Sequence, residues 1–241
     1  MGAMCGTISS IGVEEIVIVE EHTSKTSVDA KIIKILKTKK ERMEGKPPPY
    51  AHFNRVILKF HQVEQAFGTL RSTYEHFKDS ATDGIRYEDL KAALIYMEVN
   101  VEDNDVKEIF DESDVVEDGS LEFREFVVSL AIAYLLGIIP EFKVGGDIEE
   151  MSGRIHAISG NAGALAAAFN LIVDAYLMID KDASGTITWD ELDAELSRGN
   201  EGAFMNKERW KELDWNQDGT ITFQEFLLAF SKWVGIDDDE E

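Results

Sequence analysis

Four short segments of the chain repeat one pattern of acidic and apolar residues. They cover residues 78–89, 114–125, 180–191 and 214–225, and apolar residues spaced three and four apart flank them. The eighth residue is always aliphatic and the tenth always aromatic: Ile85, Leu121, Ile187 and Ile221, then Tyr87, Phe123, Trp189 and Phe223. Because this spacing is typical of helices, the sequence predicts an all-α fold of four helix–loop–helix units, grouped as two pairs.

The third and fourth segments place oxygen-bearing side chains at alternate positions of a twelve-residue loop. Positions 1, 3 and 5 carry Asp, Asn or Ser, position 6 is glycine and position 12 is glutamate. Ca²⁺ takes about six to eight hard oxygens, and such a loop can direct them at one ion, with the glutamate giving both oxygens and position 7 a backbone carbonyl. The predicted ligands are Asp180, Asp182, Ser184, Thr186 and Glu191 in the third loop, and Asp214, Asn216, Asp218, Thr220 and Glu225 in the fourth.

These loops resemble the EF-hand calcium loop, whose pattern both match in full. With two pairs of hands, an acidic chain and an N-terminal extension, the sequence is similar to the calmodulin-like calcium-binding proteins of plants over about residues 60–235. Residues 46–60 also resemble an extended plant subgroup. The alternative, that these are acidic turns that bind nothing, is disfavoured by two complete and paired copies. We therefore expect two calcium ions in the C-terminal pair, with Ile187 and Ile221 paired in a short two-stranded ribbon.

The second loop departs from the calcium pattern at one position. It keeps Asp114, Asp118 and Glu125, but Val116 stands where position 3 should supply an oxygen. Glu122 at position 9 would compensate in part. A weak third calcium site and a purely structural loop are both open at this point.

The first loop fails in either of its two registers. Counted from Lys78 it lacks the first carboxylate, and counted from Asp79 it ends on Leu90. We expect it to bind no calcium and to support packing instead, with Ile85 completing a ribbon to Leu121.

The resemblance implies a calcium sensor that changes shape and binds target proteins through an amphipathic helix. An apolar groove would open when the exiting helices swing and the two terminal glutamates of the loops move inward. Its expected lining is Phe169, Ile172, Tyr176, Met178, Leu192, Leu196, Phe204, Met205, Trp210, Phe226 and Phe230. A calcium buffer would use the same loops but barely open, and a regulatory subunit of a kinase or phosphatase complex is a further alternative.

The N-terminal extension differs in charge from the rest of the chain. The whole protein has 24 basic and 47 acidic residues and a net charge of −23, whereas lysines dominate residues 25–46. Apolar residues there lie near one face of a helix: Val28, Ile32, Ile35, Leu36 and Met43. Three hypotheses follow: the basic residues form a solvated helix face, the helix docks on the acidic hands and covers the groove, or the helix contacts an anionic membrane.

The remaining composition excludes several kinds of function. The net negative charge repels nucleic acid, and one cysteine allows neither an internal disulfide nor a CxxC pair. We find no HExxH, Walker A or GxGxxG motif and expect no enzyme. A cytoplasmic protein is predicted, with peripheral membrane contact if Gly2 is myristoylated or Cys5 palmitoylated.

The predicted organisation has five parts. These are an extension over 1–52, an N-terminal pair with degenerate loops over 53–139, a linker over 140–160, a calcium-binding pair over 161–236 and an acidic tail over 237–241.

Overall fold

The computed structural model describes residues 26–45, 53–97, 99, 101–139, 162–196 and 207–236. Several predictions lie outside the described residues: the lipidation of Gly2 and Cys5, the 140–160 linker, the 237–241 tail, and the groove positions Phe204, Met205 and the Leu196 side chain.

The described chain is helical apart from two very short strands. The N-terminal half contains α1 (Ser27–Met43), α2 (Asn54–Ile57), α3 (Phe60–Gly68), α4 (Arg71–Phe77), α5 (Tyr87–Tyr96), α6 (Asp103–Ser113) and α7 (Phe123–Leu135). The C-terminal half contains α8 (Ala162–Ile179), β1 (Ile187–Thr188), α9 (Trp189–Leu196), α10 (Lys207–Leu213), β2 (Thr220–Ile221) and α11 (Phe223–Trp233). None of the helices in these ranges is long and apolar enough to cross a bilayer.

The loops of each pair meet as the apolar pattern predicts. In the C-terminal pair, β1 and β2 are antiparallel, with Ile187 opposite Ile221. In the N-terminal pair, Ile85 and Leu121 form an isolated antiparallel bridge, and all four side chains are fully buried. Both predicted ribbons are therefore confirmed, and they join the hands two by two.

The segment from Phe53 to Phe77 forms three short helices instead of one continuous helix. The breaks lie between α2 and α3 and between α3 and α4. At the second break, Gly68 is a poor helix former, and the Thr69 hydroxyl donates to the carbonyl of Ala66 at 2.7 Å. The resulting change of direction lets α3 pack on the C-terminal pair while α4 stays in the first hand.

The two pairs share one hydrophobic core. Helix α3 packs on α8, and α7 packs on α11 and α8. The ring of Phe67 lies 5.4 Å from that of Phe169, and the ring of Phe60 lies 5.1 Å from that of Phe230. The apolar face between α8 and α11 is thus covered by α3.

Helix α1 docks on the hands through its apolar face. Val28, Ile32 and Leu36 are fully buried against a surface formed by α6, α7 and α8. The docking part of the second hypothesis is therefore confirmed, while Lys31 and Lys34 stay exposed, as the solvated-face hypothesis predicts. The part in which α1 covers the groove is wrong, because α3 packs on the apolar face between α8 and α11.

Candidate metal centre

The third loop brings three of its predicted ligands together. Carboxylate oxygens of Asp180, Asp182 and Glu191 lie within 4.8 Å of one another. Asp180 directly follows α8, and it accepts hydrogen bonds from the N–H groups of Ser184 at 3.1 Å and Gly185 at 3.2 Å. Carboxylates this close repel one another when they are ionised, and a bound divalent cation would relieve that repulsion.

Glu191 closes the same loop from the first turn of α9. It accepts hydrogen bonds from the N–H of Lys181 at 2.7 Å and from the N–H of Thr188 at 2.9 Å. The Ser184 hydroxyl donates to the carbonyl of Thr186 at 2.9 Å, so the predicted position 7 carbonyl also lies beside the other ligands. The expected inward movement of the glutamate is not needed in this structure, because its side chain already faces the loop.

The fourth loop contains a buried carboxylate oxygen that no described residue satisfies. Asp214 accepts hydrogen bonds through Oδ2 from the Trp210 indole at 3.0 Å and from the N–H of Gly219 at 3.1 Å. Its Oδ1 is buried and has no hydrogen-bond partner among the described residues. A buried charged oxygen without a partner is costly, so a cation at this oxygen fits the site.

Glu225 closes the fourth loop as Glu191 closes the third. It accepts hydrogen bonds from the N–H groups of Trp215 at 3.1 Å and Asn216 at 3.2 Å, and from the Thr222 hydroxyl at 2.8 Å. Asp218 in turn accepts from the N–H of Thr220 at 2.9 Å. The donor set is all oxygen and carries three carboxylates, which fits calcium.

Three of the four loops share one backbone conformation, with a positive φ at positions 4 and 6. The φ values are 60° and 85° at Glu117 and Gly119, 58° and 90° at Ala183 and Gly185, and 57° and 88° at Gln217 and Gly219. Glycine is suited to the second of these positions because it has no Cβ. The second loop therefore keeps the calcium-loop geometry although its position 3 is Val116.

The first loop has a different structure. Asp79 and Gly84 pair across a tight turn, and ion pairs join Lys78 to Asp83 at 2.7 Å and Arg86 to Asp79 at 2.7 Å. Basic side chains thus neutralise the carboxylates that would otherwise face a cation. That the first loop binds no calcium stays a prediction.

The second loop retains the two end carboxylates in calcium-loop positions. Asp114 accepts hydrogen bonds from the N–H groups of Asp118 at 3.1 Å and Gly119 at 2.9 Å, and Glu125 accepts from that of Val116 at 3.0 Å. The weak third site stays a prediction.

The buried Glu125 is expected to make the stability of the calcium-free protein depend on pH. Desolvation raises its pKa to about 7, although N–H groups of Val116 and Glu122 hydrogen-bond to it. A carboxyl with a raised folded-state pKa favours folding only while it is protonated, so this contribution is lost as the pH rises towards 7 and beyond. Between pH 5 and pH 8 the free energy of unfolding should fall by about 2 kcal/mol through this group.

Urea unfolding in a calcium chelator at several pH values measures this effect. Glu125→Gln should remove most of the fall in the free energy of unfolding between pH 5 and pH 8. A smaller fall should remain from Asp180, because burial raises the pKa of that carboxyl to about 6. The exposed Glu88 supplies the control variant Glu88→Gln, which should behave like the wild type. An unchanged fall in Glu125→Gln would contradict the assignment.

Helix α1 packs directly on the third loop at Gly185. A Cβ added there would lie 2.7 Å from Cγ2 of Ile33, whereas a Cβ at Gly219 would have nothing within 4 Å. Because φ is close to 90° at both glycines, backbone strain should be equal, and Gly185→Ala should lose about 1–2 kcal/mol more stability than Gly219→Ala. Chemical unfolding measures both, and Ile33→Ala should rescue only the first variant; equal losses would rule out this contact.

Sequence reasoning missed Lys40 of α1, whose ammonium group donates to the carbonyl of Asp180 at 2.7 Å and to that of Leu177. No local pattern marks this residue among the other lysines, because its partners are about 140 positions away in the sequence.

Comparisons with known proteins agree with this geometry. A family model for the EF-hand domain pair matches residues 81–132, within the N-terminal pair. The "Probable calcium-binding protein CML21" of Arabidopsis thaliana is 25% identical over 223 residues, which is 92% of this chain and 90% of that protein. The "Probable calcium-binding protein CML22" of the same plant is 28% identical over 193 residues, 77% of this chain and 79% of that protein. The chain has the EF-hand fold, and over most of its length it is similar to these plant calcium-binding proteins.

This EF-hand protein also resembles part of a larger plant protein class. Calcium-dependent protein kinase 21 of Arabidopsis thaliana is 26% identical over 175 residues, which is 71% of this chain but 27% of the kinase. The similarity therefore concerns about a quarter of that kinase.

Proposed function

We propose that this calmodulin-like protein is a calcium sensor. Calcium is bound by the third and fourth loops, and the C-terminal pair then binds an amphipathic helix of a target protein. The observation that carries the proposal is that the apolar face between α8 and α11 holds a helix within the molecule.

That internal helix has the spacing of a target helix. Phe60, Val63 and Phe67 follow one another at i, i+3 and i+7 of α3, the spacing with which amphipathic helices fill apolar grooves. Two of these side chains contact the C-terminal pair, at Phe230 and Phe169. The face thus accepts a helix with aromatic anchors, and a target helix would have to replace α3.

The predicted groove residues that the structure describes lie mostly in the core. Six of them are buried: Phe169, Ile172, Tyr176, Leu192, Phe226 and Phe230. Met178 and Trp210 are partly buried against the same core. This state corresponds to the closed form, in which no groove is offered to a partner.

Tyr176 connects the calcium loops to that core. Its buried hydroxyl lies 2.9 Å from the carbonyl of Gly185 and 3.0 Å from that of Ile221, and its ring contacts those of Phe223 and Phe226 at 5.4 Å. A change in either loop therefore reaches the apolar face directly.

The terminal glutamates connect the loops to the helices that follow them. Glu191 lies in the first turn of α9 and Glu225 in the first turn of α11. Bound calcium supplies positive charge that balances the carboxylates of each loop. Any adjustment of these two glutamates moves α9 and α11, and with them the face that α3 covers.

A calcium titration of the full chain with an environment-sensitive apolar dye tests the proposal. Dye fluorescence should rise as calcium fills the loops, because the face between α8 and α11 becomes accessible. The double variant Glu191→Gln and Glu225→Gln is the matched control and should show no rise. A flat dye signal in the wild type, together with calorimetric heat of calcium binding, would contradict the sensor and favour the buffer.

We further propose that the chain acts without catalysis. The relatives that it covers over most of their length are named calcium-binding proteins, whereas the kinases are covered over about a quarter. Action in the cytoplasm and contact with a membrane through Gly2 or Cys5 remain proposals from the sequence.

A further inference from the structure

We propose that Lys40 is a tethered cation that competes with calcium at the third loop, so that the docked helix α1 sets the calcium affinity of that loop. The inference rests on the proposed calcium binding by Asp180, Asp182 and Glu191.

Lys40 is held at the beginning of the third loop by main-chain contacts. Its ammonium group donates to the carbonyls of Leu177 and Asp180, where the last carbonyls of α8 lack helical partners. A cation is favourable at this end of a helix. The contact therefore stabilises both α1 docking and the end of α8.

The same ammonium group is within electrostatic reach of the third-loop carboxylates. Burial lowers the pKa of Lys40, and Asp180, Glu191 and Asp182 oppose that shift. In the calcium-free loop, Lys40 thus balances part of the negative charge. A divalent cation among the same carboxylates repels Lys40, so each cation weakens the binding of the other.

The opposite end of α1 keeps Lys40 close to the loop. The N–H of Val28 donates to Glu108 at 3.0 Å, the Thr26 hydroxyl donates to Glu112 at 2.9 Å, and Lys31 pairs with Asp105 at 3.3 Å. These contacts anchor α1 to α6. Lys40 therefore acts at a high effective concentration, as a linked group does.

Among the described residues, no lysine of α1 lines the space between the fourth loop and the start of that helix. That space is lined instead by Asp29, Asp111 and Glu112. The effect of Lys40 should therefore be confined to the third loop, which gives the experiment an internal control.

Calcium affinity of the full chain, measured by competition with a chelator, tests the proposal. A Glu225→Gln background reports the third loop, and a Glu191→Gln background reports the fourth. In the first background, Lys40→Gln should tighten calcium binding about fivefold, the size of a modest coupling between charges. In the second background it should change nothing.

Two further variants distinguish the effect of the charge at position 40 from general effects of a lysine substitution on net charge or folding. Lys34→Gln removes the same charge from an exposed position of α1 and should leave the affinity unchanged. Lys40→Arg keeps the charge and should behave like the unmodified background. If Lys40→Gln binds calcium equally or more weakly at the third loop, the proposal is overturned.

Hydrogen exchange of the last turns of α1 supplies a readout other than affinity. Calcium should reduce protection of residues 38–43 with Lys40 present and have a much smaller effect in Lys40→Gln. Equal changes in both proteins would overturn the proposal. If the Glu225→Gln background binds no calcium even with Lys40 replaced, the proposed function itself fails; binding that ignores Lys40 defeats only this inference.

Discussion

Replacing both Glu191 and Glu225 by Gln is expected to abolish tight calcium binding. Each glutamate closes its loop and is already held there by N–H groups of the same loop. Gln keeps the size of the side chain but removes the charge and the bidentate carboxylate. We expect two sites with dissociation constants on the order of 10⁻⁷–10⁻⁵ M in the wild type, weakened beyond about 10⁻³ M in the double variant.

Calorimetry on metal-stripped protein measures this directly. Each single variant should retain one tight site, which assigns the two sites to their loops. Glu125→Gln is the matched control, because it makes the same change in the second loop and should leave both tight sites intact. Tight binding that survives in the double variant would show that calcium is held by other residues.

Replacing Phe67 by Ala is expected to cause a large loss of stability. The side chain is fully buried, and it joins α3 to Phe169 of α8. Its removal costs the transfer free energy of the ring and leaves a cavity, so the free energy of unfolding should fall by about 3–5 kcal/mol. Because α3 packs between the two pairs, the two pairs should also unfold less cooperatively in the variant.

Urea unfolding followed by circular dichroism and by tryptophan fluorescence tests both effects. The tryptophans of the described residues, Trp189, Trp210, Trp215 and Trp233, all lie in the C-terminal half, so fluorescence reports that half and circular dichroism the whole chain. Leu58→Ala is the control, since Leu58 is 82% exposed and should lose at most about 0.5 kcal/mol. Similar losses in the free energy of unfolding for Phe67→Ala and Leu58→Ala would mean that α3 does not cover the apolar face of the C-terminal pair.

The loops could be predicted from the sequence because their chemistry is local. Asp180 and Glu191 are eleven positions apart, and the turn between them depends on Gly185 and on hydrogen bonds inside the loop. The pairing of Ile187 with Ile221 also followed from the register of the repeat, since equal positions of paired loops meet. The departure of the first loop from the calcium pattern was also visible in the sequence, at Lys78, which pairs with Asp83 in the structure.

The arrangement of helices around these loops could not be predicted in the same way. The periodicity of Phe60, Val63 and Phe67 marks an apolar face but does not say which surface it meets, and the turn after Gly68 redirects it to α8. Likewise, a row of lysines in α1 predicts a charged face and leaves open whether that face meets water, a membrane or Asp180.

The sequence by itself determined the all-α class and the pairing of the helix–loop–helix units, and it predicted which residues would hold calcium. All of these depend on short-range periodicity and on the oxygen ligands that a hard cation needs. Only the tertiary structure decided that α3 covers the C-terminal face and that Lys40 reaches the third loop. Such contacts join residues far apart in the chain, and burial of apolar surface selects among them without leaving a local pattern.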